Sequence, residues 1–328
     1  MSWLVTASPH LHSPDSTPKI MWNVVLSLVP VVAAASWFFG ATALLVVLAC
    51  VAGALLPERL WGPRSSLRDG SAAITGILLA LTLPPGIPLW MAFLGGAFGI
   101  VLGKLVFGGL GQNVFNPALL GRAFLQAAFP VAITTWPLAG GPWWGLRGDT
   151  FAIPFASPRP LDTVTGSTPL GLMKFEHKGT PVLDLLFGST GGSLGETAAL
   201  VILLCGGYLA LRNYLNWRIP LSILLTVALA SGLLHLLDPS RYPGPVFMLL
   251  SGGLVLGAVY MATDMVTSPV THRGCWVFGA GIGVLVVAIR VWGGLAEGVM
   301  YAILLMNAVV PAINRITQPR VFGTKEAA

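Results

Sequence analysis

Residues 82–110 read TLPPGIPLWMAFLGGAFGIVLGKLVFGGL, and residues 267–295 read TSPVTHRGCWVFGAGIGVLVVAIRVWGGL. Each copy opens on a T-x-P turn, continues as a Gly-rich apolar run and closes on Gly-Gly-Leu, and the two are offset by 185 residues with no gap between landmarks. Proline biases the residue before it away from the helix, so each turn ends one helix and lets the next begin. Short helices interrupted by Pro and Gly at corresponding points of two halves are a transporter-like architecture, with the functional site near the repeat interface. Such an architecture needs a bilayer, and the composition demands one: 55% of the 328 residues are hydrophobic and only 9% are charged, against about a quarter charged in a soluble domain. With a mean hydropathy of +0.81, the chain lacks the charge to cover a water-exposed surface.

A helix crosses the hydrocarbon core in about 20 residues, and in fewer where it is broken or buried among others. Outward from the repeat, ten stretches qualify: Ile20–Phe39, Ala41–Leu56, Gly70–Leu83, Pro88–Phe107, Val114–Phe129, Glu196–Tyr214, Ile219–Leu237, Pro245–Thr263, Cys275–Val291 and Gly298–Ile313. With the N-terminus inside, Lys19, Arg59, Arg64, Arg68, Arg212, Arg218, Arg273, Arg315, Arg320 and Lys325 fall on the cytoplasmic side. Among the short loops only Arg241 falls outside, which is the positive-inside pattern, and ten spans return the C-terminus to the cytoplasm. The first T-x-P turn then lies outside and the second inside, so the halves are inverted. The predicted fold is an all-α polytopic membrane protein of about ten transmembrane helices in two inverted five-helix repeats. Its parts are a cytoplasmic N-terminal segment (1–19), a first membrane repeat (20–129), an extracytoplasmic loop (130–195), a second membrane repeat (196–314) and a cytoplasmic tail (315–328). The long loop balances Arg147, Arg159, Lys174 and Lys178 against Asp149, Asp162, Glu176 and Asp184. Long loops translocate largely regardless of charge, so these residues do not oppose the orientation.

Several function classes drop out. Eighteen Lys and Arg against twelve Asp and Glu give +6, but the basic residues sit singly near the ends of apolar runs rather than on one face, which argues against a nucleic-acid binder. Cys50, Cys205 and Cys275 lie in or beside apolar runs with no CxxC, and His272 three residues before Cys275 offers too few ligands for zinc. They read as buried thiols without a disulfide frame. No Cys cluster is present for an iron–sulfur centre and no GxGxxG follows a strand to bind NAD. Residues 1–19 lack a basic region ahead of an apolar core and read as a polar lead-in rather than a cleaved signal.

The outer loop contains Asp162-Thr163-Val164-Thr165-Gly166-Ser167-Thr168-Pro169-Leu170. By residue type alone this is a polar turn, since Thr and Ser beside Gly and Pro favour tight turns and Asp bonds nearby backbone N–H groups. The spacing D-x-x-T-G-S-T also resembles the acceptor motif for covalent flavin transfer, D-x-x-[ST]-G-A-[ST], whose last hydroxyl residue takes FMN as a phosphoester. By that resemblance Thr168 is the attachment site, Asp162 the acid of the motif, and Thr165 and Gly166 its central pair. Thr supplies a hydroxyl to a phosphorus, Gly lets the backbone enter another enzyme's active site, and an acid nearby suits a metal-assisted transfer. Ser167 stands where Ala is usual, a small-for-small change.

A second stretch, Gly108-Gly109-Leu110-Gly111-Gln112-Asn113-Val114-Phe115-Asn116-Pro117-Ala118, places Asn116 at a helix N-cap and Pro117 at the first helical position. Asn113 and Asn116 also offer donors and acceptors at the mouth of a broken membrane helix, which suits a neutral heteroaromatic ligand better than an ion. A third, Met261-Ala262-Thr263-Asp264-Met265-Val266-Thr267-Ser268-Pro269, carries an acid at the cytoplasmic end of a span, read first as a helix-end or loop residue and second as part of an ion pathway. His272 and Arg273 read as interfacial, and the deeper Lys104 and Arg290 either snorkel or line the bundle.

Taken together, Ser8-Pro9-His10, Ser16-Thr17, GQNVFNPALLGRAF (111–124), DTVTGSTPL (162–170), MATDMVTSP (261–269) and AEGVMYAILLMN (296–307) resemble the RnfD/NqrB family across nearly the whole chain and in the family's order. The short polar N-terminus is closer to the RnfD type, because NqrB subunits carry a longer extension before the first span. The resemblance implies a urea-transporter-like fold, covalent FMN at Thr168, and a non-covalent riboflavin toward the cytoplasmic side, with Asn113 and Asn116 as its contacts. It further implies a component of the Rnf complex in a bacterial or archaeal cytoplasmic membrane, passing electrons between ferredoxin and NAD and coupling this to Na+ or H+ movement. Ferredoxin and NAD would be handled by partner subunits (A, B, C, E and G), and a flavin transferase would mature the loop. The chain is then an electron relay within a translocase and not a complete enzyme, with no catalytic or metal-ligating residue of its own assigned. Two other readings stand beside it: an NqrB-type component of a sodium-pumping NADH:quinone oxidoreductase, and a channel or transporter for a small neutral solute. The D-x-x-T-G-S-T spacing separates the last, because a plain channel has no use for it.

Overall fold

The computed structural model describes residues 15–63, 66–137, 139–145, 147–154, 166–188, 190–196, 199–239 and 241–319. Among these residues the regular structure is helical: α1 Thr17–Phe39, α2 Ala41–Trp61, α3 Ser71–Leu81, α4 Leu89–Ile100 continued by a π turn Val101–Leu105, α5 Pro117–Ala128 and α6 Pro130–Thr134. Then follow α7 Pro169–Glu176, α8 Val182–Phe187, α9 Ala199–Leu211, α10 Arg218–Leu237, α11 Pro245–Leu250, α12 Leu254–Leu256 with a π turn Gly257–Met261, α13 His272–Trp292 and α14 Val299–Thr317. Five of them, α1, α2, α10, α13 and α14, are long and apolar enough to cross a membrane, while α3, α4 with its π turn and α9 are shorter apolar helices.

Apolar side chains gain little by leaving lipid for protein, so helices in a bilayer associate by close packing at small residues. The most extensive pairings are α2 with α4 and α10 with α13, and α1 also packs on α9 and α5 on α14. A Cβ added at Gly53 of α2 would land on the Phe93 carbonyl, and one at Gly96 of α4 on the Cys50 carbonyl. Gly279 of α13 plays the same part against α10, where an added Cβ would meet Ser222 Cβ at 2.6 Å. At the α1–α2 corner Gly40 adopts φ 74°, and the next N–H, on Ala41, donates to the Trp143 carbonyl at 2.8 Å, which pins the start of the long loop to the bundle. The outward face of α10 is a row of exposed leucines at i+4 spacing, Leu221, Leu225, Leu229, Leu233 and Leu237.

Two helices stop inside the bundle, and the charged residues explain how. α3 ends at the first T-x-P turn, where the Leu81 and Leu83 carbonyls accept from the Gly195 and Leu194 N–H groups (2.6 and 3.1 Å) and the Thr82 carbonyl accepts from Arg122 Nη1 (2.6 Å). The stretch 245–263, expected as one span, is broken at Ser251-Gly252-Gly253, with Gly252 at φ 67°. Arg290 donates from Nη1 to the Met248 carbonyl and from Nη2 to that of Ser251 (2.9 Å), while the Gly253 N–H donates to Glu297. Backbone groups freed by a break must be satisfied within the protein, and guanidinium and carboxylate do that here. Arg290 and Lys104 are 4% and 2% exposed, so both line the bundle rather than snorkel; Lys104 pairs with Glu58 and donates to Ser71 Oγ at 2.6 Å. The cysteines are unpaired thiols, Cys50 and Cys275 buried and Cys205 half-buried.

Candidate functional site

Thr168 is the N-cap of α7. Its Oγ1 accepts from the Gly171 N–H at 3.1 Å, its carbonyl accepts from Leu172 at 2.9 Å, and Pro169 supplies the fixed φ of the first turn. Two residues earlier, the Gly166 N–H donates to the Trp136 carbonyl at 2.8 Å. Asp162 and Thr165 lie outside the described residues. α7 is fastened to the second half of the chain: Leu170 is buried with Leu185 and Phe247, and Lys174 Nζ donates to the carbonyls of Arg290 (3.0 Å), Leu295 (2.8 Å) and Gly293 at the end of α13. Partial burial pulls the Lys174 pKa below the usual lysine range, and the carbonyl oxygens around it favour the charged form.

A cavity of about 610 Å³ opens beside Thr168, with Trp136, Arg122, Gln126, Glu196 and Glu297 among its walls. Arg122 Nη2 lies 3.4 Å from Glu297 Oε2, while Arg122 Nε is buried and has no partner among the described residues. A second, larger cavity of about 830 Å³ is lined by Asn113, Asn116, Asp264, Lys104, Tyr214 and Tyr260 among mostly apolar neighbours. Asn116 caps α5 as its position implied, accepting from Ala118 and Leu119 (3.0 and 3.3 Å), and it also donates to the Met261 carbonyl at 3.2 Å. Its side chain is therefore committed to structure, and Asn113 is the freer of the pair: it hydrogen-bonds the Asp264 carboxylate at the cavity wall. Asp264 is a turn residue, accepting from the Val266 N–H and Thr267 Oγ1 at 3.2 Å each, and it faces the same cavity.

α5 joins the two cavities. Asn116 stands at its N-cap, and Arg122 lies six residues on, about 9 Å at helical rise. A smaller cavity of about 400 Å³ lies between, lined by Leu119, Met261, Arg122 and Glu297. The motifs in the sequence did not single out Trp136, Arg122, Glu196 or Glu297 as site residues. A charge inside or beside an apolar span was the available signal for the last three, and Trp136 offered none, because its proximity to Thr168 depends on the path of the loop.

Residues 4–323 match the model of the NQR2, RnfD, RnfE family. A Stutzerimonas stutzeri protein, named as the D component of an ion-translocating oxidoreductase complex, is 44% identical, with 94% of this chain and 93% of that protein aligned. A Clostridium ljungdahlii protein, named as the D component of a proton-translocating ferredoxin:NAD(+) oxidoreductase complex, is 39% identical, covering 98% of this chain and 96% of its own. Its Acetobacterium woodii counterpart, named for a Na(+)-translocating ferredoxin:NAD(+) oxidoreductase complex, is also 39% identical, covering 97% and 95%. With a match over nearly the whole chain, and relatives similar from end to end, the chain belongs to the NQR2, RnfD, RnfE family.

Proposed function

We propose that this chain is the membrane electron-relay component of an Rnf-type complex, carrying covalent FMN on Thr168 and riboflavin in the Asn113 cavity. In that complex electrons pass between ferredoxin and NAD, held by partner subunits, and the transfer drives Na+ or H+ across the cytoplasmic membrane. The names of the full-length relatives support the complex and the reaction. One observation carries the flavin assignment: the threonine of the acceptor motif caps a helix at the wall of a cavity that also holds an indole and a guanidinium with a spare N–H.

The residues present fit the group. Thr168 offers the hydroxyl for a phosphoester, the N-terminal turn of α7 favours a negative phosphate, Arg122 adds a cation, and Trp136 gives an aromatic wall. A flavin, when bound, supplies one- and two-electron redox chemistry. Lys174 holds the attachment point against α13, and Arg122 and Glu297 keep a charged donor and acceptor ordered at the cavity wall. On the other side, an uncharged heteroaromatic ring suits a mostly apolar cavity with an amide, a carboxylate and an ammonium at its edge. The two sites then flank α5, a short path for a relay.

Paired packing of α2 with α4 and α10 with α13, and of α1 on α9 and α5 on α14, supports the reading of ten spans in two inverted repeats, because helices related by a two-fold axis meet their own counterparts. The domain limits follow: membrane repeats 20–129 and 196–314, a flavin-bearing loop 130–195 outside, and both termini inside. An NqrB-type component would keep both flavins and exchange the acceptor for quinone, but these relatives are named for ferredoxin and NAD.

Flavin fluorescence of the denatured chain in a gel tests the attachment. The band should vanish in Thr168→Ala and persist in Ser167→Ala; a band that survives Thr168→Ala overturns it. Asn113→Ala should deplete extractable riboflavin and leave the covalent band, and unchanged extractable flavin removes that site. Lys178→Cys, exposed beyond α7, should react with an impermeant thiol reagent from outside the cell, and labelling only after lysis reverses the orientation.

A further inference from the structure

On the other flank of α7 lies a cavity of about 640 Å³ that none of the above uses. Lys174, His177, Arg241 and Arg290 line it together with Phe247 and Trp292, and no carboxylate appears among its described lining residues. Arg290 is 4% exposed; its two terminal nitrogens are spent on the Met248 and Ser251 carbonyls, and its Nε has no partner among the described residues. Lys174 is surrounded by carbonyl oxygens, which carry only partial charge. Glu297, the nearest acid in sequence to α13, lines the Thr168 cavity, where it takes the Gly253 N–H and Arg122; its field and that of Glu196 reach Arg290 from that side, but neither acid lines this cavity. One buried and one half-buried cation, with Arg241 and His177 exposed at the rim, therefore face one cavity with nothing negative in its described lining. Charge removed from water is costly unless a counter-charge meets it.

What would meet the cations on this side follows from the exposed surface near Arg241. The exposed leucine row of α10 ends at Leu237, four residues before Arg241. The loop that carries Arg241 is tied back to α10 by His235 Nδ1 and the Tyr242 carbonyl, 2.7 Å apart. Val246 and Trp292 are exposed too, and Trp292 lines the cavity. A long apolar strip that ends in a basic cavity matches a molecule with an anionic head and hydrocarbon tails, and a small soluble anion would have no use for the strip. We propose that this cavity binds the phosphate of an anionic phospholipid whose acyl chains lie along the leucine row of α10. Arg241 and His177 donate to the phosphate at the rim, while Arg290 and Lys174 provide the field behind it. The site would fasten α7, and with it Thr168, against α13 from the lipid side, but its occupancy does not depend on whether Thr168 carries a flavin.

Native mass spectrometry of the full complex, stripped of lipid in detergent and titrated with phosphatidylglycerol or phosphatidylcholine, tests it. Phosphatidylglycerol should be retained and phosphatidylcholine lost. Arg241→Gln should lower phosphatidylglycerol retention about tenfold, the effect of one charge-assisted contact, and Arg241→Lys should restore most of it because the exposed side chain serves by charge. Equal retention of the two lipids, or no change in Arg241→Gln and in His177→Gln, overturns the proposal. Complete displacement of phosphatidylglycerol by millimolar inorganic phosphate also overturns it, by reassigning the cavity to a free anion.

Discussion

Replacing Arg290 by Met tests the claim that a guanidinium holds the broken helix between α11 and α12. The side chains are similar in length, so the change removes hydrogen bonds with little loss of volume. Two bonds go, to the Met248 and Ser251 carbonyls, and both acceptors are left inside the bundle. A buried acceptor without a partner costs about 1–3 kcal/mol, so the two together amount to about 2–6 kcal/mol. Relief of the buried charge itself offsets part of this, since an apolar replacement is often tolerated where an ion was desolvated. A net destabilisation of about 3 kcal/mol is expected. Equilibrium unfolding in mixed detergent micelles reads the total, and amide hydrogen exchange across 247–256 reads the place. Exchange in that segment should accelerate while α2 and α4 keep their protection. A loss below about 1 kcal/mol with unchanged exchange at 247–256 would refute the reasoning, because the break would then be held by packing alone.

Lys174→Met removes charge-assisted bonds to four carbonyls, and because that side chain is only partly buried the expected cost is about 2 kcal/mol, confined to α7. Proteolysis within 130–195 should rise about 30-fold at that cost; unchanged cleavage would mean that Leu170 alone anchors the helix. Gly96→Ala should destabilise by about 1–3 kcal/mol, since its Cβ lands on the Cys50 carbonyl, and a neutral result in the same unfolding assay would contradict the close crossing of α2 and α4. Asn116→Ala should cost about 2 kcal/mol, roughly 1 for the cap and 1 for the bond to Met261. If Asn116→Asp recovers the capping part, the oxygen is what α5 needs; no recovery would assign the loss to the Met261 contact.

The sequence alone determined that the chain belongs in a bilayer, that its helices break at the two T-x-P turns, that Asn116 caps a helix, and that Thr168 closes a stretch resembling a flavin-acceptor motif. These are local or compositional properties: a proline restricts its neighbour, an asparagine bonds an N–H two residues on, and a shortage of charge needs no partner to be read. The break at Ser251-Gly252-Gly253 had a local signal too weak to read, because two glycines inside an apolar run look like a tightly packed span until the carbonyls are seen turning toward Arg290. Which charges meet was decided only by tertiary structure. Arg122 and Glu297 are 175 residues apart, and Lys174 and the end of α13 are more than 115 apart, so no spacing rule joins them. They converge because a membrane bundle must satisfy every freed backbone group internally, and only the packed helices determine which side chain arrives to do so.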